Sequence, residues 1–336
     1  MKRKYFKKIL PLIAMAISAV TLLSWGVWGH EHINHAAVFA LPQPMRLFFY
    51  NHIDFITEES SVPDIRKYTI NDKAEFARHF INIESYKIFI DSLPKTMKGA
   101  NEKFDSLFLQ KNGILPWYIQ DMMQKLTNAF KNKQKTEILF LAADLGHYLA
   151  DANMPLHTSV NHDGQFTNQK GIHAFWESQL PELFGDNYNF KVDDAKYIND
   201  VTTETWNIIK KSHQLVDTLL FAEKRLHDIF PKNKIYETDS KDNNIKNKFG
   251  QPVHSFAYAQ AYNKTLNGMI EKQLRNSIQD VANFWYTAWI NAGKPDLSSL
   301  DPQSLTKQNR KQYKIDLRLY GKGKLSGFKV NNEFSH

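Results

Sequence analysis

The sequence predicts an all-α protein, a single compact multi-helix domain, and three observations carry that expectation. Apolar residues recur at helical spacing through six segments. Alternating apolar and polar runs closed by hairpin turns, the mark of strands, are scarce. No internal repeat and no clear linker divides the body of the chain, so one domain is expected over 25–293.

At the N-terminal end, residues 1–24 read as an export signal: Lys2, Arg3, Lys4, Lys7 and Lys8 precede an apolar run from Ile9 to Leu23. That run is 15 residues long, short of the about 20 a membrane helix needs. Continued through Gly29 it reaches 21, so two outcomes stand. Either the chain is cut between Ser24 and Trp25 and released to the periplasm or the exterior, or the signal is kept as a membrane anchor. Helical periodicity then appears in 31–56, 115–131, 135–153, 172–184, 197–230 and 254–291. Residues 231–252 are polar and hold both Pro and Gly, which predicts a surface loop. Residues 294–336 form a basic tail whose order the pattern leaves open.

The formal charge of +8 is concentrated at the two ends. The signal supplies five positive charges, and 301–336 carry eight Lys/Arg against three Asp/Glu, leaving 25–300 near −2. A uniformly basic protein that coats nucleic acid is therefore not expected. There is no cysteine, so an exported chain must rely on its core or on metal ions for stability.

The chemistry is concentrated in a few stretches. "ILFLAADLGHYLADANMPLH" is apolar on nearly all sides, the signature of a buried helix. Yet it carries Asp144, His147 and Asp151 at i, i+3 and i+7, on one face. Burying two carboxylates and an imidazole is costly unless they pair or bind metal. Pro155 ends that helix and His157 comes two residues later. In "GIHAFWESQLPELF", His173 and Glu177 stand four apart and face the same way, a common presentation of two zinc ligands. "SVPDIRKY" puts Asp64 in a proline-bounded turn, "FARHFINIESY" puts His79 in an amphipathic segment, and "WGVWGHEHINH" opens with Trp25 and His30. Each stretch alone is a weak signal; a lone buried histidine is usually structural.

Together, in order and approximate spacing, these residues resemble the zinc-dependent phospholipases C and the secreted single-strand-specific zinc nucleases. The resemblance covers residues 25 to about 180 by motif, and "GHYLADANMPLH" followed by "GIHAFWE" is its most specific part. It implies an all-helical domain built around a trinuclear zinc site. Asp64, His79, His147 and Asp151 would hold the first ion, and His157, His173 and Glu177 the second. The third would take the α-amino group and carbonyl of Trp25, with His30, and Asp151 as a bridge. Eight side chains and one backbone terminus are too many for one four-coordinate zinc and suffice for three. The implied reaction is phosphodiester hydrolysis by a metal-activated water. Asp64 would ligate and orient the nucleophile, and Lys67 would stabilise the transition state, with its neighbour Arg66 as the alternative. Asp144 lies outside the family's ligand set; it would orient His147, or be a capped buried acid.

The two branches disagree over the substrate. "WGVWGH" and "RHF" are nuclease-like, and Phe80 matches an aromatic that stacks a base. Asn82, however, stands where the nucleases carry an aspartate that reads the base edge. "GIHAFWE" and the absence of cysteine match the phospholipases. The balance tips slightly to a phospholipase C-type enzyme acting on phospholipid, with a nuclease acting on single-stranded DNA or RNA as the alternative. A non-catalytic, zinc-stabilised secreted binding protein is the third reading. No stable protein partner is implied, and the oligomeric state is left open.

The role of Trp25 gives the sharpest expectation from the sequence. Mass spectrometry of the exported chain should find Trp25 first, and a Met-extended form should show lowered occupancy of the third zinc site and lowered activity while keeping its fold. Trp25→Ala, correctly cleaved, keeps the amine and should keep most of the metal. A fully active extended form would assign the tryptophan to a hydrophobic helix.

Overall fold

The computed structural model describes residues 26–69, 73–247, 250–301, 305 and 307–326. The segment 1–24, read as an export signal, and Trp25 lie outside the described residues. The domain is all-α, with no strand among the described residues. None of the described helices is long and apolar enough to cross a membrane.

In order, the helices are α1 (Gly26–Ala40), α2 (Gln43–Tyr50), α3 (Ile53–Glu58), α4 (Val62–Thr69), α5 (Lys73–Ala77), α6 (Met97–Lys103), α7 (Ser106–Asn112), α8 (Leu115–Lys131) and α9 (Lys135–Asn153). After a loop come α10 (Ile172–Ala174), a π-helical turn (Phe175–Gln179) and α11 (Leu180–Phe184). The chain closes with α12 (Val201–His213), α13 (Val216–Ile229), α14 (Phe256–Thr265), α15 (Met269–Asn291) and α16 (Lys307–Gly321).

Four helices make the centre: α9 packs against α1, α8 and α15, and α15 packs also against α1 and α8. Helix α9 is apolar around most of its circumference and is enclosed from Ala142 onward, with only Asp144 partly open. Its first turns expose Thr136, Glu137 and Phe140. Helix α8, by contrast, buries Leu115, Ile119, Met122, Leu126 and Phe130 along one face. The ends are set locally. Thr96, Asp105, Asp200 and Ser255 each accept a hydrogen bond from a backbone N–H of the first turn of α6, α7, α12 and α14. At its last residue, α9 is held to α15, where Gln273 Nε2 donates to the Asn153 carbonyl at 2.7 Å.

The helical segments 115–131 and 135–153 form as the sequence predicts, whereas the longer ones divide. The 31–56 segment breaks at Leu41–Pro42 and again at Asn51–His52, and 254–291 breaks where Gly268 turns left-handed at φ 77°. Asp64 lies in the first turn of α4, not in the expected turn; Pro63 near a helix start is compatible with helix because no intrahelical N–H bond is lost there. The loop 231–252 holds short antiparallel contacts, Thr238 with Asn244 and Lys246 with Pro252. Within the basic tail, Lys307–Gly321 form α16, which docks on α1 and α2: Tyr320 stacks on Phe39 at 5.3 Å and Tyr50 donates to Asp316 at 2.6 Å.

The close approach of α1 to α9 brings His30 of one helix to His147 of the other. Asn34, fully buried, donates to the Ala143 carbonyl of α9 at 3.1 Å. A Cβ on Gly146 would lie 2.0 Å from Asn34 Oδ1, so only glycine lets the helices meet this closely. Gly146→Ala should therefore destabilise by about 1–3 kcal/mol through overpacking, although alanine alone would favour the helix by about 1 kcal/mol. Urea unfolding measures the balance; a more stable variant would show that the helices can part without cost.

Candidate metal centre

Helix α9 carries His147 and Asp151 at zero exposure. A carboxylate brought into such an interior costs several kcal/mol unless charge and hydrogen bonds replace its lost hydration. Asp151 is met by imidazoles from four directions. Its Oδ2 lies 2.9 Å from His79 Nδ1 and 3.3 Å from His147 Nε2. Its Oδ1 lies 3.4 Å from His157 Nδ1 and 3.7 Å from His30 Nε2, yet receives no hydrogen bond among the described residues.

Each partner arrives on a different element. Helix α1 delivers His30, whose ring stacks on that of His147 with centroids 3.9 Å apart. Helix α4 delivers Asp64, with Oδ1 3.5 Å from His79 Nδ1 and 3.7 Å from His147 Nε2. His79 stands on a short segment stitched to two neighbours. Ile114 and Leu115 donate backbone bonds to Ala77 and Phe80, and Ile81 donates to His157. Gly113, at φ 85°, makes the stitching possible, since a Cβ there would sit 2.0 Å from the Phe80 carbonyl oxygen. Pro155 ends α9 and opens the turn that carries His157. His157 Nε2 lies 3.2 Å from His173 Nε2 and 3.5 Å from Glu177 Oε2, and Glu177 Oε1 lies 3.1 Å from His173 Nε2.

Three groups of side chains thus come within reach of shared ions: His30, His147 and Asp151; Asp64, His79 and His147; and His157, His173 and Glu177. In each, the ligating atoms lie within 4.8 Å of one another. All eight side chains singled out from the sequence as ligands meet here. Trp25, expected beside His30, lies outside the described residues.

The hydrogen-bonding pattern tests whether these residues suit metal. His147, His157 and His173 each turn Nδ1 toward a backbone carbonyl, of Ser60 at 2.7 Å, His79 at 2.7 Å and His162 at 2.9 Å. A ring nitrogen that donates outward fixes the tautomer and leaves the other nitrogen a lone pair facing inward. The Nε2 atoms of His157 and His173 then confront each other at 3.2 Å as two acceptors. Such a contact is repulsive unless a proton or a cation stands between them. With Asp64, Asp151 and Glu177 crowding the same space, the cluster is rich in acceptors and poor in donors. The residues present fit divalent metal ions held by nitrogen and oxygen.

The charges of the cluster pull its imidazoles in opposite directions. Burial pulls the His173 imidazole down, but the Glu177 carboxylate overrides it and holds the ring up to about 9. His147 is raised in the same way, against burial, by Asp151 and Asp64. His30 goes the other way: burial and the neighbouring His147 lower it to about 3, so its ring is neutral at pH 7. Burial pushes Asp64 up, but Lys67 and the surrounding imidazoles hold it well below the usual carboxylate range.

A cavity of about 400 Å³ opens on one edge of the cluster, at His79, His157 and His173. Lys67, Phe80 and Asn82 line it, and so do Phe76, Lys111, His162, Asp163 and Gln251, which the sequence did not single out. Lys67 reaches Asp64 Oδ1 at 2.6 Å. Arg66 points elsewhere, pairing with Asp144 at 2.6 Å and with Glu75 at 3.4 Å. Asp144 accordingly does not orient His147, a task taken by the Ser60 carbonyl. Glu75, buried 3.3 Å from His79 Nε2, is a further contact that sequence reasoning missed. The spacing of Glu75 four residues before His79 was its one visible signal. No protein-family model matches the chain, and no curated protein matches it.

Because His173 is held near 9 by Glu177, metal uptake at pH 7 must displace its proton. Calorimetry of the metal-stripped protein, titrated in two buffers of different ionisation enthalpy, should show at least one proton released per molecule. Binding heats identical in both buffers would refute this account of the site.

Proposed function

We propose that the chain is an exported zinc-dependent phosphodiesterase that cleaves single-stranded nucleic acid. One observation carries the reading: an acceptor-rich cluster of eight ligand side chains lies at the edge of a cavity with cationic, aromatic and amide walls. His30, Asp64, His79, His147, Asp151, His157, His173 and Glu177, with the Trp25 terminus, would hold three zinc ions. When bound, the ions would supply Lewis-acid charge and acidify water near neutral pH.

The chain's own residues supply the rest. Lys67, only 7 % exposed along its side chain, holds an ammonium where a phosphoryl group entering the cavity gathers negative charge. Asp64 keeps that ammonium in place and remains ionised. Phe80, braced edge-on by Phe76 at 5.3 Å, offers a face for a base, and the Asn82 amide offers both a donor and an acceptor to its edge. Lys111 adds a second cation, suited to a neighbouring phosphate.

These walls move the balance away from choline phospholipid. A quaternary ammonium seeks aromatic faces and anions. Phe76 and Phe80 supply the faces, but the cavity also presents two lysines, and Asp163 Oδ1 is engaged by the backbone N–H groups of Gly171 and His173. A second reading, phospholipid hydrolysis at an interface, is favoured by Phe76, on the cavity wall at 55 % exposure, and by Phe166, at 70 % on the loop carrying His162 and Asp163.

Protein never exposed to chelator should contain close to three zinc ions, and chelation should abolish activity. In a side-by-side assay, single-stranded DNA and RNA should be cut faster than phosphatidylcholine vesicles. Lys67→Ala should lower kcat by about 10²–10³-fold, and Phe80→Ala should weaken nucleic-acid binding by about 1–3 kcal/mol, read in KM. Hydrolysis of phosphatidylcholine alone would transfer the assignment to the phospholipase reading, and zinc-loaded protein inert on every substrate would make the chain a binding protein.

A further inference from the structure

His79 is turned opposite to three of its companions. His147, His157 and His173 direct Nδ1 outward to a carbonyl, whereas His79 directs Nδ1 inward, 2.9 Å from Asp151 Oδ2 and 3.5 Å from Asp64 Oδ1. Its outward nitrogen is Nε2, and the group facing it is a side chain, the Glu75 carboxylate at 3.3 Å. Glu75 comes from α5, one helical turn earlier in the chain, and is 1 % exposed.

The carboxylate is itself fixed from three sides. Tyr148 of α9 donates its hydroxyl to Oε1. Arg78 donates to Oε2 at 2.8 Å, and Arg66 of α4 approaches the same oxygen at 3.4 Å. Arg66 is held in turn by Asp144 at 2.6 Å. The network therefore ties α4, α5 and α9, the helices that carry or precede Asp64, His79, His147 and Asp151. Glu75 and His79 Nε2 stand 3.3 Å apart without hydrogen-bond alignment. The carboxylate therefore acts through its charge, which favours a proton on Nε2 and raises the basicity of the inward nitrogen.

We propose that Glu75 is a positioning residue for the metal centre, holding His79 with Nδ1 toward the ion shared with Asp64 and His147, an inference that rests on the zinc-centre reading. Two arginines give Glu75 an alternative occupation as an ordinary buried counter-ion, and the two roles separate experimentally. Glu75→Gln keeps the shape and one of the two acceptor oxygens, so it can still accept from Arg78, but it removes the charge that His79 feels. Chelator-competition titration should then show one of the three zinc sites weakened by about 10–100-fold, with the other two unchanged. The visible absorption of the cobalt-substituted protein should shift, because the imidazole donor to that ion has changed. Asp144→Asn disturbs the same network without touching His79 and should leave zinc affinity within about threefold of wild type, a bound far below the effect of losing an outer ligand partner.

Three outcomes would overturn the proposal. Glu75→Gln that binds every ion with wild-type affinity and an unchanged cobalt spectrum removes the positioning role while leaving the zinc centre standing. Equal weakening by Glu75→Gln and Asp144→Asn, together with a lowered melting temperature of the metal-free proteins, makes Glu75 a packing residue. Wild-type protein that takes up no zinc removes the centre and the inference with it.

Discussion

The constraint on which the rest depends is the burial of Asp151 inside α9, a central helix of the domain. An ionised carboxylate at zero exposure must be compensated, and here the compensation comes from imidazoles on three other parts of the chain as well as from its own helix. His147 and His157 donate outward to carbonyls, and His79 turns its outer nitrogen to Glu75. The inward nitrogens of His79 and His147 therefore satisfy the carboxylate only when a proton or a cation is shared with it. A core assembled only for stability would replace such a cluster with hydrocarbon at no loss. Its presence at the meeting point of α1, α4 and α9 calls for a positively charged occupant, a proton or a metal ion.

The scaffold is arranged to hold that cluster rigidly. Gly146 lets α1 lie close enough for the His30 and His147 rings to stack. Gly113 lets the α7–α8 junction clamp the segment bearing His79 and Phe80. The same segment accepts the Nδ1 hydrogen of His157 at the His79 carbonyl, so two candidate ligands are set by one stretch of backbone. Positional errors at one ligand are thereby shared with another. A site with this much mutual bracing has little freedom to rearrange when a substrate arrives.

The open side of the cluster differs in character from the buried side. Behind the ligands stand Glu75, Arg66, Asp144 and Tyr148, a closed network with its charges paired internally. In front stand Lys67, Lys111, Phe80 and Asn82, which face a cavity. The two sides therefore differ in access: the network behind the ligands is closed, whereas Lys67, itself paired with Asp64, and Lys111 line an open cavity.

Much of this was legible in the sequence where the information is local. Helices α8 and α9 follow directly from periodicity, and His147 with Asp151, or His173 with Glu177, announce themselves because helical spacing puts them on one face. The polar groups in the apolar α9 were legible as a problem to be solved, since burial without partners is too costly. The α4 helix was not, because Pro63 marks a helix start as readily as a turn. Nor was the division of labour among Arg66, Lys67 and Asp144. Arg66 and Asp144 are 78 residues apart, and their contact exists only because α4 lies across α9. The Ser60 carbonyl that orients His147 has no side-chain signature at all. Lys111 enters the cavity only through the clamp at Gly113. Sequence by itself determined the helices and the ligand types, because spacing along a helix is a short-range property. Which nitrogen of each ring faces inward, and which cation faces the cavity, were decided by tertiary packing, because the backbone acceptors and distant counter-ions that settle those choices are brought together only by the fold.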